Sequence, residues 1–312
     1  MPLLSWPPHG MLAAAMVHHP ISQALKIFRD GNSLTASLAL AVLLSGCGTR
    51  PAGVSPPDAL AHVPDFARKP FAPFSATEAI AIAMREWRAW GQLVDDDPPD
   101  SRPPVPAEFK PERTAGMWQR VGEYWWLGQD ASRAEAAWTG RTDEFGTVFA
   151  ARDDAGFAWS AAFISYVMRT AGAGTRFAYS PAHATYINAA RQVSLGTVTG
   201  WALWAESALA AAPRPGDLIC AGRGRARTML FEDLPAGNFP AHCDLVVATD
   251  GGALSVLGGN VDDAVTMKHV PVTTDGRIAD PRYPWFVVIR VQYDVATAGG
   301  PVAAAVSALT PG

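Results

Sequence analysis

The chain has 312 residues, of which 49% are hydrophobic, and it carries a formal net charge of −4 at neutral pH. A chain of this length and composition buries one substantial core and is not intrinsically disordered. Its slight acidity and its lack of long lysine or arginine runs argue against a surface that binds the phosphates of nucleic acid. We therefore expect one main domain with appendages, and no nucleic-acid partner.

An apolar segment near the N-terminus, residues 33–46, follows Lys26 and Arg29. It is too short to span a bilayer but suits the core of a signal peptide. It ends in Leu-Ser-Gly-Cys, which is similar to the lipobox of bacterial lipoproteins, and this resemblance implies that Cys47 is acylated. Glycine, not aspartate, follows Cys47, which by analogy implies an anchor at the periplasmic face of the outer membrane. The alternative is an amphipathic helix with a buried cysteine.

Composition divides the rest of the chain into further segments. After the signal peptide and lipobox at 1–47, we expect a Pro-rich tether at 48–74, a helical region with an acidic Pro-rich linker at 75–117, the main domain at 118–294 and a flexible tail at 295–312. The region before 118 is either a separate small domain or a lid over a cleft.

Apolar periodicity predicts helices in the first part of the chain. Ser75 and Glu78 have the spacing of a capping box at the start of one helix, which Gly91 ends. Further helices are predicted at 114–126, 158–172, 181–191 and 201–209.

After Pro213 the pattern changes to strands, predicted at 217–221, 243–249, 253–257, 264–270 and 286–291. Helices followed by an antiparallel sheet indicate an α+β fold. Cys220 and Cys243 fall in strands that should be neighbours. They form either a cross-strand disulfide, which an oxidising compartment preserves, or two small buried thiols.

Four segments occur in one order: AWSAAFISYVMRTAG at 158–172, PRPGDLI at 213–219, AHCDLVV at 241–247 and VLGGN at 256–260. In this order they resemble the CHAP and NlpC families of thiol hydrolases, which implies a papain-like domain with N-terminal helices packed on an antiparallel sheet. The resemblance implies a nucleophile at Ser160, where those families carry a cysteine. It also implies a base at His242 and an orienting residue at Asn260.

A nucleophile in the first turn of a helix lies at the positive end of the macrodipole, which favours an anion. A thiol benefits most, because its thiolate becomes accessible near neutral pH. The hydroxyl of Ser160 stays protonated and needs an adjacent base, whose contribution is roughly 10²–10⁴ in rate. Because side chains alternate along a strand, Asp244 should share a face with His242, and Cys243 should point away.

Four further residues are predicted to contact a substrate: His183, Asp244, Trp159 and Tyr179. His183 falls in the first turn of a helix, where the dipole favours a neutral imidazole, and it either lines the cleft or is structural. Ser180 fits a helix cap better than a catalytic residue. The spacing of the tryptophans fits core packing better than sugar stacking.

The motifs of other chemistries are missing from the sequence. It has no HExxH or CxxC pattern and no phosphate-binding loop followed by Gly-Lys-Ser/Thr. A G-x-S-x-G elbow is missing too, which disfavours an α/β-hydrolase. No metal or other cofactor is therefore predicted.

From Trp118 onwards the chain also resembles DUF2272, an uncharacterised bacterial family of lipoproteins, through WSAAFISYVMR, YSPAHATYI, GDLICAGR, HCDLVV and GGNV. This resemblance implies that a serine at position 160 is typical of the family. Two functions fit these residues equally well.

One is an envelope-anchored hydrolase of peptidoglycan stem peptides or related amides. The other is a non-catalytic module that binds peptidoglycan or an envelope protein, with the membrane reached through the lipid anchor only. A purely structural lipoprotein is the third class.

Overall fold

The computed structural model describes residues 73–295, except 100, 102, 104, 131 and 151–155. The predicted signal peptide, the lipobox at Cys47 and nearly all of the tether and tail therefore lie outside the described residues. The described part contains four α-helices: α1 Ala76–Ala89, α2 Met117–Leu127, α3 Ser160–Thr170 and α4 His183–Ser194. It also contains six strands: β1 Leu203–Ser207, β2 Leu218–Gly222, β3 Ala241–Asp250, β4 Ala253–Val261, β5 Ala264–Pro271 and β6 Trp285–Val291.

The strands form one antiparallel sheet in the order β1-β6-β2-β3-β4-β5. Helices precede the sheet in the chain and pack on it, so the α+β class is confirmed. The helix predicted at 201–209 is wrong, because Leu203–Ser207 is the edge strand β1. Leu203 and Ala205 are buried while Trp204 is exposed, so the segment buries alternate side chains against its neighbours, and this pairing overrides the local preference.

The two helices for which the sequence predicts a serine cap, α1 and α4, begin differently from that expectation. Ser75 precedes α1, but its side chain makes no capping hydrogen bond. Its backbone is extended and forms a bridge with Val295, whose carbonyl accepts the N–H of Ala76. Ser180 is not the N-cap of α4 either, because the helix begins at His183 and its N-cap is Ala182. The Oγ of Ser180 instead accepts the N–H of Ala182 in the turn before the helix.

The region before residue 118 joins the main core. Ile80 of α1 belongs to the same buried cluster as the inward faces of α3 and the sheet. Glu86 of α1 is fully buried. Its carboxylate accepts hydrogen bonds from Tyr124 of α2 at 2.7 Å and from Tyr166 of α3 at 3.0 Å, and it pairs with Arg120 at 2.7 Å. Three helices thus converge on one carboxylate.

The two faces of the sheet bury different clusters. Cys243 and Leu245 of β3 pack against the helices, whereas Val246 belongs to a smaller apolar cluster on the opposite face. Alternation along β3 therefore places His242 and Asp244 on the face opposite Cys243, as the sequence predicts.

No helix within the described residues combines the length and the apolar character needed to cross a bilayer.

A disulfide joins Cys220 and Cys243, which are directly paired across β2 and β3. Of the two alternatives for these cysteines, the structure shows the cross-link. It closes a loop with a sequence separation of 23 residues, and loop-closure entropy predicts a contribution of about 3 kcal/mol to stability.

We expect the double variant Cys220→Ala/Cys243→Ala to lose about 3 kcal/mol of unfolding free energy in denaturant titrations. Reductant should lower the stability of the wild type by a similar amount and leave the double variant unchanged. Detection of reactive thiols at both positions in the unreduced, unfolded protein would contradict the cross-link.

Candidate active site

Ser160 begins α3 and lies at the floor of a large cleft. The residue is 6% exposed. The first N–H groups of a helix have no intrahelical acceptor and carry the positive end of the dipole. The Oγ of Ser160 lies 2.6 Å from Nε2 of His183. The predicted nucleophile is therefore hydrogen bonded to a histidine, but to His183 and not to His242.

His183 begins α4 and is almost completely buried. Its second ring nitrogen, Nδ1, is hydrogen bonded to the phenol of Tyr186, three residues later on the same face of the helix. Burial lowers the pKa of His183 well below its ordinary value, and the nearby His242 lowers this pKa further. His183 is therefore a neutral imidazole at physiological pH, held at both nitrogens.

His242 lies beside His183, with the two ring centroids 5.4 Å apart. Its Nε2 is 2.8 Å from Oδ1 of Asp244, the next residue on the same face of β3. Burial lowers the pKa of His242, although the charge of Asp244 acts in the opposite direction. Among the described residues, no hydrogen-bond partner meets its buried Nδ1.

Asp244 is a fully buried carboxylate held between two partners. Besides His242, it forms an ion pair with Lys268 of β5, whose Nζ lies 2.6 Å from Oδ2. Burial alone would raise the pKa of Asp244, but Lys268 and His242 together hold it below its ordinary value. Asp244 is therefore ionised. We call these six residues the histidine cluster: Ser160, His183, Tyr186, His242, Asp244 and Lys268.

Sequence reasoning missed two members of the cluster. Lys268 is 1% exposed and lies in β5, a strand that is buried over most of its length. A lysine is almost never fully buried unless it is paired, but the pairing of β5 with β4 that buries Lys268 is not encoded in the local sequence. Tyr186 was hidden in the interior of a predicted helix, and its three-residue spacing from His183 was the available signal.

The glycines at 258 and 259 let β4 pack closely against its neighbours. Both lie within β4, and each allows a close approach. A Cβ on Gly258 would lie 2.0 Å from Oδ1 of Asp244 and 2.9 Å from Nε2 of His242. A Cβ on Gly259 would lie 2.6 Å from the side chain of Phe163 in α3. The strand thus fits against the cluster on one face and against α3 on the other.

The structure places four residues differently from their expected roles: Asn260, Asp244, Trp159 and Tyr179. Asp244, not Asn260, holds the imidazole of His242, and Asn260 instead has a φ of 55° and lines the cleft. Asp244 is fully buried, so it orients His242 and does not contact a substrate.

Trp159 and Tyr179 do not line the cleft either. Trp159 is buried in the core, where its ring stacks on that of Trp90 with the centroids 5.5 Å apart, and its Nε1 donates to Glu112 at 2.6 Å. Tyr179 donates to the carbonyl of Gly174. Of the predicted substrate contacts, only His183 lines the cleft.

The cleft has a volume of about 1580 Å³. Its floor includes Ser160 and His183, and its wall includes the Pro-rich linker, which the N–H of Asp95 attaches to the carbonyl of Met267 in β5. A smaller cavity of about 260 Å³ is lined by His242 and Lys268. Asn260 lines both spaces, so they adjoin at this residue.

No group of three or more His, Cys, Asp or Glu side chains in the described part of the chain is arranged to hold a metal ion. The groups of the histidine cluster that can take part in proton transfer are a hydroxyl, two neutral imidazoles and an ionised carboxylate.

We expect Gly258→Ala to destabilise the protein by about 1–3 kcal/mol, because the new methyl group forces the Asp244 carboxylate away from His242. Gly237→Ala is the matched control, since a Cβ there meets nothing within 4 Å. Denaturant titrations of both variants test the difference. Equal stability of the two variants would show that the close approach is not needed.

The lowered pKa values of His183 and His242 predict a pH-dependent stability. Below about pH 6.5 the unfolded chain binds protons at both histidines while the folded chain does not, so stability falls as pH falls below that value. Each histidine contributes up to about 1.4 kcal/mol per pH unit. Unfolding free energies measured between pH 7.5 and 5 should show this slope. The slope should flatten in His183→Gln and in His242→Gln, and an unchanged slope in both would contradict the prediction.

Comparison with known proteins identifies a family. The family model described as "Uncharacterized protein conserved in bacteria (DUF2272)" matches residues 112–291. This range includes every residue of the histidine cluster. No curated protein and no solved structure matches the chain significantly. The chain thus belongs to DUF2272, a family of uncharacterised proteins that is conserved in bacteria.

Proposed function

We propose that the protein is a lipid-anchored envelope hydrolase with a serine nucleophile, which cleaves amide bonds in peptidoglycan stem peptides or related polymers. The observation that carries the proposal is a hydroxyl at the floor of a large cleft with two neutral, buried histidines grouped around it: His183 contacts Ser160 at 2.6 Å, and the ring of His242 lies 5.4 Å from that of His183. A hydroxyl needs such a neighbourhood, because it becomes a competent nucleophile only when a base takes its proton.

The arrangement supplies the parts of an acyl-transfer reaction. The Oγ of Ser160 attacks the amide carbonyl, and a neutral imidazole accepts the hydroxyl proton. The N–H groups in the first turn of α3 are donors without intrahelical acceptors, and they are suited to stabilise the oxyanion of a tetrahedral intermediate. The imidazolium then gives its proton to the leaving amine, and water hydrolyses the acyl enzyme by the reverse sequence.

The cleft favours a large substrate. Its volume of about 1580 Å³ exceeds the roughly 300–1000 Å³ typical of small-molecule pockets. The linker that forms one wall supplies several prolines and Val105 to the lining. A peptide or a peptide-bearing glycan is long enough to occupy such a cleft.

Two independent features support a periplasmic location. The disulfide between Cys220 and Cys243 persists in an oxidising environment such as the periplasm. The lipobox-like sequence at Cys47 supports attachment through a lipid, which we place at the periplasmic face of the outer membrane. The proposed partners are therefore peptidoglycan or an envelope protein, with no nucleic acid.

The order of the elements supports a papain-like domain of the CHAP and NlpC type. In such a domain a nucleophile opens a helix, and the histidine opens a strand of the antiparallel sheet that follows. Ser160 opens α3, and His242 is the second residue of β3. Serine in place of cysteine is the departure from that pattern.

One observation favours a second function, a binding module with a degenerate site. The imidazole that contacts Ser160 has a phenol, not a carboxylate, on its other nitrogen. An imidazolium formed there would lack an adjacent counter-charge, which weakens a simple Ser160–His183 dyad as a catalytic unit.

The decisive experiment incubates purified murein with a soluble chain that begins after Cys47 and analyses the released fragments by mass spectrometry. We expect fragments from the wild type and none from Ser160→Ala, because loss of the nucleophile removes the acyl-enzyme route. Equal release by Ser160→Ala would rule out the mechanism. Release only by Ser160→Cys would indicate a thiol hydrolase that the serine disarms. No release by any variant, together with binding to murein, would support the binding module.

A further inference from the structure

We infer that His183 is a hydrogen-bond donor to Ser160, and that His242 is the residue that accepts the Ser160 proton. This assignment of roles rests on the proposed hydrolase function, but the direction of the hydrogen bonds can be tested in the resting protein. In a simple serine–histidine dyad one histidine both contacts the hydroxyl and accepts its proton. Here His183 contacts the hydroxyl and His242 accepts the proton.

The direction begins at Tyr186, whose phenol is fully buried. Burial, reinforced by the charge of Asp244, raises the pKa of Tyr186 well above its ordinary value, so the phenol carries its proton. Within the described residues, Nδ1 of His183 is the single hydrogen-bond partner of this hydroxyl. A buried donor without an acceptor costs about 1–3 kcal/mol, so Tyr186 donates to Nδ1.

The tautomer of His183 follows from that donation. A neutral imidazole carries one N–H, and a ring nitrogen that accepts a hydrogen bond is not the one that carries it. With Nδ1 accepting from Tyr186, the proton of His183 resides on Nε2. Nε2 is the nitrogen that lies 2.6 Å from Oγ of Ser160, so the imidazole donates to the serine and is not available as its base.

His242 has the opposite arrangement. Asp244 is ionised and can only accept, so the proton of the neutral His242 resides on Nε2, 2.8 Å from Oδ1. The lone pair of His242 therefore resides on Nδ1, a buried nitrogen with no hydrogen-bond partner in the described part of the chain. The ring of His242 lies 5.4 Å from that of His183, which contacts Ser160, so this free lone pair belongs to the histidine ring that neighbours the Ser160–His183 pair and is suited to receive a proton.

The proton balance of the attack is then complete. As Oγ bonds to the carbonyl carbon, its proton moves to Nδ1 of His242, and the carbonyl π electrons move to the carbonyl oxygen. The His183 N–H holds Oγ in position for the attack, and the N–H groups in the first turn of α3 stabilise the negative charge on the carbonyl oxygen. The imidazolium of His242 is stabilised by the adjacent Asp244, the counter-charge that His183 lacks, and it later returns the proton to the leaving amine.

The first test measures the histidine tautomers of the full-length chain by ¹⁵N NMR, using couplings from the ring nitrogens to the carbon-bound ring protons. The proposal expects the proton on Nε2 in both His183 and His242. His183→Gln and His242→Gln assign the signals. A proton on Nδ1 of His183 would overturn the proposal whether or not the protein hydrolyses any substrate.

The second test applies the same variants to murein hydrolysis by the full-length chain. His183→Gln retains an N–H donor but no base, so we expect a loss of no more than about tenfold. His242→Gln removes the base and should cost at least about a hundredfold. His269→Gln, at a partly exposed histidine outside the cluster, should leave hydrolysis unchanged. A larger loss in His183→Gln than in His242→Gln would overturn the proposal, and an inactive wild type would instead overturn the proposed function.

Discussion

The buried carboxylate of Asp244 is the interaction on which the site depends. An isolated ionised carboxylate inside a protein is very costly, so it survives only when charged and hydrogen-bonding partners surround it. Lys268 and His242 provide these partners from β5 and from β3 itself. The two contacts join strands on either side of β4, so the register of three strands is coupled to one charge. Removing Lys268 would leave the carboxylate buried beside a histidine alone, which is a severe change.

Gly258 is the consequence of that arrangement in the intervening strand. β4 runs between β3 and β5, and any side chain at 258 would occupy the space of the Asp244 carboxylate. The glycine therefore serves charge burial, and the adjacent Gly259 serves the packing of α3 against the sheet. Gly258 therefore leaves room for the Asp244 carboxylate, and Gly259 allows α3, the helix that carries Ser160, to lie close to the sheet.

Sequence patterns predicted the parts of the site that depend on local periodicity. The position of Ser160 in a first helical turn and the shared face of His242 and Asp244 follow from helical and strand periods. The contact between Ser160 and His183 was not predicted, because it depends on how α3 and α4 meet, which no local period encodes. Lys268 was missed for a similar reason, since a lysine in a strand suggests a solvent-facing edge until its buried partner is known.

The same limit explains the wrong helix at 201–209. Its alanines and tryptophans satisfy helical spacing, and only pairing with β6 reveals the strand. Strand alternation alone places Asp244 on the same face as His242, where it orients the imidazole, whereas the resemblance to CHAP and NlpC implies Asn260 in that role. Long-range strand pairing thus decides the structure at Leu203–Ser207 and the burial of Lys268.

The electrostatics of the cluster suit a hydroxyl better than a thiolate. A reactive thiolate is commonly stabilised by an adjacent imidazolium, so it requires a histidine that is readily protonated. Here burial lowers the pKa of both His183 and His242, and the positive charge of Lys268 lowers both pKa values further. His242, whose ring centroid is 5.4 Å from that of His183, also lowers the pKa of His183. The resting state therefore holds neutral imidazoles beside a neutral hydroxyl, and charge develops only as the proton moves. For a serine this is the productive ground state, because its base must be unprotonated before attack. A serine at position 160 is thus chemically compatible with the two neutral, buried histidines beside it. The departure from cysteine does not by itself imply a lost activity.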